Sequence, residues 1–147
     1  VTDTFLEAAI AEAGVGLAEG GIPIGSVLVV DGVIVGRGHN RRIQKGSPTL
    51  HGEMDALENA GRLPASAYRR TTIYTTLSPC DMCTGAILLY GIPKVVIGEN
   101  RTFLGAEDLL RARGVEVVVA DDQRCMTLMD DFIAANPDLW NEDIGEE

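Results

Sequence analysis

The sequence predicts an α/β fold: a mixed sheet of five strands covered by helices on both faces. Three observations carry that reading. Asp31-Gly32 stands between two apolar runs and is a strong type I′ hairpin signal, which gives antiparallel pairing. Residues 71–98 read as strand, helix, strand, an arrangement that needs a crossover and gives parallel pairing. A further helix and strand, then a closing helix, continue the alternation. Antiparallel and parallel pairs in one sheet make it mixed.

Each element has a local reason. Asp3 caps a helix through about residue 18, with Leu6, Ile10, Ala13 and Leu17 on one face and Gly20-Gly21 ending it. Strands over 24–30 and 33–37 flank the hairpin turn. Residues 39–50 are polar and turn-rich, and 51–60 form a helix closed by Gly61. A strand over 71–76 leads to a helix over 80–90, with Gly91 behind it, and then to a short apolar strand over 94–98. Residues 106–113 form a helix stopped by Gly114, 115–120 a buried strand, and 122–135 a final helix before Pro137. The tail, 138–147, reads as irregular. Residues 86–89 and 95–97 are apolar almost throughout, so that helix and strand are expected to be buried all round, partly against a second subunit. Gly36-x-Gly38 lies outside any Gly-x-Gly-x-x-Gly run and reads as close packing, not phosphate binding.

Length and composition narrow the classes. At 147 residues the chain reads as one domain, 1–147, large enough to bury roughly 68–70% of its unfolded surface. It is 46% hydrophobic without an apolar run near the ~20 residues that span a bilayer, and its N-terminus lacks the basic-then-apolar layout of a secretion signal. No membrane partner is expected. Three cysteines cannot pair fully, which fits a reducing cytoplasm. The net charge of −10 has the wrong sign for an unaided grip on phosphate backbones, so no nucleic-acid partner is expected. Most acidic side chains after Cys125 read as solvated surface.

The chemistry concentrates in two short motifs: His51-Gly52-Glu53, and Pro79-Cys80-Asp81-Met82-Cys83. If His51, Cys80 and Cys83 bind one Zn²⁺, a tetrahedral position stays open for water, which is how catalytic zinc is usually held. Ser78-Pro79 ahead of an apolar run reads as N-cap and first-turn proline, placing both cysteines in the opening turn of a helix. There the helix dipole favours thiolate, and residues three apart share a face. His51 and Glu53 are about 200° apart around a helix, so they should not both ligate one ion. Glu53 is better cast as the acid/base that takes a proton from the activated water.

The paired motifs resemble the signature of the zinc-dependent nucleobase deaminases. Beyond them, Gly36-Arg37-Gly38-His39-Asn40, Gln44-Lys45-Gly46-Ser47, Thr49-Leu50-His51-Gly52-Glu53, Tyr74-Thr75-Thr76-Leu77-Ser78 and the tail 140–145 resemble the fungal cytosine deaminases, over nearly the whole chain. The resemblance implies a three-layer α/β/α sandwich of cytidine deaminase-like type and a homodimer. It implies hydrolysis of free cytosine to uracil and ammonia, in pyrimidine salvage, with zinc as the cofactor and a small nucleobase as the partner. Carried over by position, it makes His51, Cys80 and Cys83 the metal ligands and Glu53 the proton shuttle. Asn40 and the Gly52 amide would hold the pyrimidine carbonyl edge, and Asp143 with the Ser78 carbonyl would accept protons from the exocyclic amine. Leu77, Phe103, Trp140 and Ile144 would wall or cover the ring. The chain departs from that pattern at Asn141, where the fungal tail has an aromatic residue, and in a first hairpin one residue shorter.

Plainer readings stand beside these. Cys80-x-x-Cys83 alone could be a redox pair. A structural zinc would need a fourth protein ligand, for which Cys125 and His39 are the leading candidates; Cys125 reads better as a packed core thiol, and His39 as a residue hydrogen-bonded within its loop. Asn40 on its own would be a turn residue, Asp143 a solvated charge, Trp140 a hydrophobic anchor. The nearest enzymatic rival is deamination of a related free base or cyclic amidine such as guanine, isocytosine or creatinine. A zinc-stabilised binding module is the rival from another class.

Overall fold

A computed structural model describes residues 3–147. Its helices are α1 (Thr4–Ala18), α2 (Arg42–Lys45), α3 (Gly52–Ala60), α4 (Ala65–Tyr68), α5 (Asp81–Tyr90), α6 (Glu107–Ala112), α7 (Gln123–Ala135) and α8 (Pro137–Asp143). Its strands are β1 (Gly25–Val30), β2 (Val33–His39), β3 (Thr71–Leu77), β4 (Lys94–Glu99) and β5 (Glu116–Val119). The sheet order is β2-β1-β3-β4-β5. Asp31 and Gly32 both take positive φ, 51° and 78°, as a type I′ turn demands, and β1 pairs antiparallel with β2 and β3. β4 pairs parallel with β3 and β5, so the sheet is mixed.

Period-two alternation splits the core between the faces. Leu28, Ile73, Val95 and Ile97 point one way and pack with Ala56 of α3, Ile87 of α5 and Leu110 of α6. Val27, Val29, Tyr74 and Val96 point the other way, against Leu6 and Ala9 of α1. A third cluster joins Ile22, Ile24 and Leu77 to Met129 and Phe132 of α7 and Trp140 of α8. The result is a three-layer α/β/α sandwich. Ile73, fully buried in the central strand, would cost about 2–5 kcal/mol if cut to Ala. α3 lies very close to β2: a Cβ at Gly36 would stand 2.6 Å from the Ala56 carbonyl oxygen, and one at Gly38 2.5 Å from the Ala56 nitrogen.

The sheet also decides where chemistry can sit. Leu77 pairs with Glu99 at the carboxyl ends of the parallel strands β3 and β4. Because β1 runs the other way, its first residue, Gly25, lies at that same end, opposite His39. Ile24, Asn40, Ser78 and the loop after Glu99 therefore gather at one edge, where open α/β sheets bind ligands.

Several expectations change. The tail is helical through Asp143 and irregular only over 144–147, because Pro137 sits at the N-terminal position of α8, where a missing N–H costs nothing, instead of merely ending α7. β5 is an edge strand with alternating exposure, not a buried one. α5 buries Cys83, Thr84 and Ile87 but exposes Leu89, which is 75% accessible. Leu17 is exposed and Gly16 takes its place on the buried face of α1. Ser78 does not cap α5: the N-cap position falls on Cys80, which makes no side-chain capping bond, and the Ser78 hydroxyl donates to Glu107 Oε2 at 2.6 Å.

Candidate active site

His51 is the N-cap residue of α3 and Cys80 that of α5, so two helix N-termini converge and Cys83 follows within the first turn of the second. Cys80 Sγ lies 3.3 Å from His51 Nδ1 and Cys83 Sγ lies 3.7 Å from it. Zinc–sulfur and zinc–nitrogen bonds of usual length, at a tetrahedral angle, would set such atoms about 3.6 Å apart. The donor atoms fit one zinc ion. They form the only cluster of three or more His, Cys, Asp or Glu with metal-ligand spacing among the described residues. Neither candidate fourth ligand joins them. His39 bonds Glu12 Oε1 through Nδ1 at 3.3 Å and Glu19 Oε1 through Nε2 at 2.8 Å, both on or beside α1 and not within its own loop. Cys125 is buried in α7, and burial pushes its thiol up to about 12.

Binding zinc displaces protons that these side chains otherwise hold on His51 and Cys83. A hydrogen bond from Cys83, aided by His51, holds the Cys80 thiol well below the usual range, and Cys83 rises in turn. Burial opposes charge on His51, but the Cys80 sulfur and Asp143 outweigh it and raise the imidazole to about 9. Glu53, on the first turn of α3 and only 4% exposed, is pushed up to about 7, chiefly by burial. A carboxyl poised near neutrality beside a metal donor set can both accept and return a proton.

These groups open onto a narrow pocket lined by Ile24, His51, Glu53, Leu77, Ser78, Cys80, Phe103, Trp140, Asp143 and Ile144. Phe103 meets Trp140 edge-on, with ring centroids 6.0 Å apart. Asn40 and Gly52 are buried just behind this lining. Asn40 donates one amide proton to Asp143 Oδ1 at 3.0 Å, and its oxygen accepts from the Arg42 N–H at 3.0 Å. The Asp143 side chain is 2% exposed, far from the solvated charge its acidic neighbourhood suggests.

Sequence reading missed several members. Ile24 was visible in principle, as the residue entering the first strand at this end of the sheet. Arg42, which binds Glu142 and Asp143 across 100 residues of sequence, carries no local signal. Glu107 accepts from Ser78 and from Asn100, and the Gly105 N–H donates to the Ser78 hydroxyl, so a buried carboxylate ties the cysteine loop to the Phe103 loop.

Comparison with known proteins agrees with this geometry. Residues 1–99 match the family described as the cytidine and deoxycytidylate deaminase zinc-binding region, a span that contains all three donors and Glu53. The chain is 61% identical over 142 residues to the cytosine deaminase of Candida albicans, covering 96% of this chain and 95% of the relative. It is 42% identical over 107 residues to a tRNA-specific adenosine deaminase of Streptococcus pyogenes, covering 71% of this chain and 67% of that one. A solved structure from studies of A-to-I editing by tRNA:A34 deaminases superposes with a TM-score of 0.71 at 26% identity, covering 84% of this chain and 97% of the other. With its zinc donor set, its buried glutamate and its sandwich fold, the chain belongs to the cytidine and deoxycytidylate deaminase family of zinc-dependent hydrolases.

Proposed function

We propose that the protein hydrolyses free cytosine to uracil and ammonia. The observation that carries this reading is Glu53, a buried carboxyl raised to about 7, lining one narrow pocket with the His51 and Cys80 donors. The likeness to the Candida albicans cytosine deaminase over 96% of the chain supports the same substrate. Zinc, held by those three donors, supplies the Lewis acidity that makes water nucleophilic near neutral pH.

The chain's own residues do the rest. Glu53 takes the first proton of the attacking water and delivers it to ring nitrogen N3, which makes C4 electrophilic; once the oxygen is bonded to C4, Glu53 takes its second proton and gives it to the amine as the C4–N bond breaks. Asp143 and the Ser78 carbonyl receive the exocyclic amine. Gly52, first residue of α3, has one of the N–H groups a helix start leaves free for the pyrimidine carbonyl. Asn40 gives one amide proton to Asp143 and keeps the second for the same carbonyl edge. Leu77, Phe103, Trp140 and Ile144 enclose the ring and exclude water.

The narrow pocket and the net charge of −10 favour a free base over a nucleoside or an RNA. Exposed Leu89 and Tyr90 on α5 support pairing of two copies into a homodimer. Two cysteines needed as thiolates support a reducing cytoplasmic setting and a place in pyrimidine salvage. No helix among the described residues is long and apolar enough to cross a membrane. The test is ammonia release across cytosine, cytidine, guanine, isocytosine, creatinine and a tRNA. Cytosine should give the highest kcat/KM, and a higher value for any other would replace the proposed substrate.

A further inference from the structure

We infer that Arg42 is a positioning residue for this site: its guanidinium holds the end of α8 so that the Asp143 carboxylate stays between Asn40 and His51. The inference rests on the proposed role of Asp143 in the pocket. α8 has seven residues, too few to be stable alone, so its end stays where tertiary contacts hold it. Arg42 supplies such contacts. It donates to Glu142 through two parallel bonds of 2.6 Å, to Asp143 Oδ1 at 3.3 Å and to the Pro48 carbonyl at 2.9 Å. An ion pair with Glu142, whose side chain is 64% exposed, would by itself contribute little. Arg42 differs from a surface partner because its side chain is 10% exposed and its fork serves three acceptors at once. Charge argues the same way. The pocket and its mouth gather Glu53, Asp81, Glu142 and Asp143, and Arg42 is the one Arg or Lys side chain lining either. Without it, Glu142 and Asp143 would repel each other and the carboxylates around them.

The chain has a single tryptophan, Trp140, and it lies on α8, so its fluorescence reports that helix alone. In the full-length, zinc-loaded protein, Arg42→Gln should keep its zinc, expose Trp140 to acrylamide quenching and lower kcat/KM for cytosine roughly tenfold or more. Arg42→Lys, which keeps the charge and loses the fork, should fall between. Glu142→Gln should shift both readouts the same way by less, and it replaces Arg42→Gln as the probe if that variant does not fold. The decisive arm is a double-mutant cycle: with Asp143→Ala already present, Arg42→Gln should reduce kcat/KM little further. Independent, multiplying losses would overturn the inference, as would unchanged quenching in Arg42→Gln. A wild-type protein that releases no ammonia from cytosine would instead remove the substrate reading, while the quenching comparison would still report whether Arg42 holds α8.

Discussion

His51 Nε2 lies 3.4 Å from Asp143 Oδ2 and 3.3 Å from the Asp143 carbonyl oxygen, so the N-cap of α3 and the last residue of α8 meet across 92 positions of sequence. His51 turns its other nitrogen, Nδ1, to the two sulfurs. A carboxylate behind a ligating imidazole fixes its tautomer and ring orientation. Asp143 thus backs the metal side of the pocket and, in the proposed reaction, also receives the amine, a pairing that would make the C-terminal helix part of the site and not a cover laid over it.

The donor cluster predicts one zinc per chain. Cys80→Ser should lose both metal and activity, since two remaining donors cannot hold the ion tightly. Metal analysis of purified wild type should find zinc at unit stoichiometry; active protein free of zinc would overturn the assignment.

Glu53 is not a donor, so Glu53→Gln should retain zinc while turnover drops by ~10²–10⁴-fold. Its pH behaviour follows from burial. Wild-type kcat/KM should fall as pH drops below about 7, where Glu53 gains a proton and can no longer accept one. Stability runs the other way. A carboxyl raised from 4.5 to about 7 favours the fold below pH 4.5, and that contribution is lost as pH climbs through 7. Glu53→Gln should therefore melt several degrees higher than wild type at pH 8. A variant that melts at the wild-type temperature there and turns over normally would make Glu53 a bystander.

The three cysteines should separate sharply once a chelator has removed the metal. Cys80, with its thiol held far below the usual range by Cys83 and His51, should alkylate readily at pH 6, where an ordinary thiol is almost wholly protonated. Cys125, buried and raised to about 12, should not react while the protein is folded. Zinc added back should protect Cys80. Mass spectrometry of the labelled peptides measures this directly, and preferential labelling of Cys125 would contradict the charge distribution described above.

What the sequence revealed depended on range. The hairpin at Asp31-Gly32, the crossover through α5 and the paired motifs are local signals, and all were legible because turn geometry and helix starts are set by neighbouring residues. The Ser78 cap was misread for the opposite reason: the local pattern favoured a cap, but the N-cap position falls on Cys80 and the Ser78 hydroxyl bonds Glu107, 29 residues on. Arg42 was invisible because its partners lie 100 residues away and both ends look like ordinary surface charge. β5 looked buried because apolar residues dominate it, yet at the sheet edge only alternate ones face the core.

The tail offers the last test, sharpened by finding α8 where an irregular segment was expected. Trp140 packs with Leu77 and Phe132, edge-on to Phe103, and Asp143 reaches His51 and Asn40. Removing residues 140–147 would open the pocket to water and strip Asp143 from His51, without touching a zinc donor. KM should rise and kcat fall while zinc stays bound, because closing segments exclude water and frequently govern product release. Asp143→Ala alone should lower kcat through lost orientation, leaving Trp140 in place. Glu147→Ala is the control: it is exposed, and only its backbone carbonyl is engaged, by Asn141 at 3.4 Å, so kinetics should not change. Wild-type kinetics in a folded, zinc-loaded protein lacking 140–147 would reduce α8 to packing and leave Asp143 without a part in turnover.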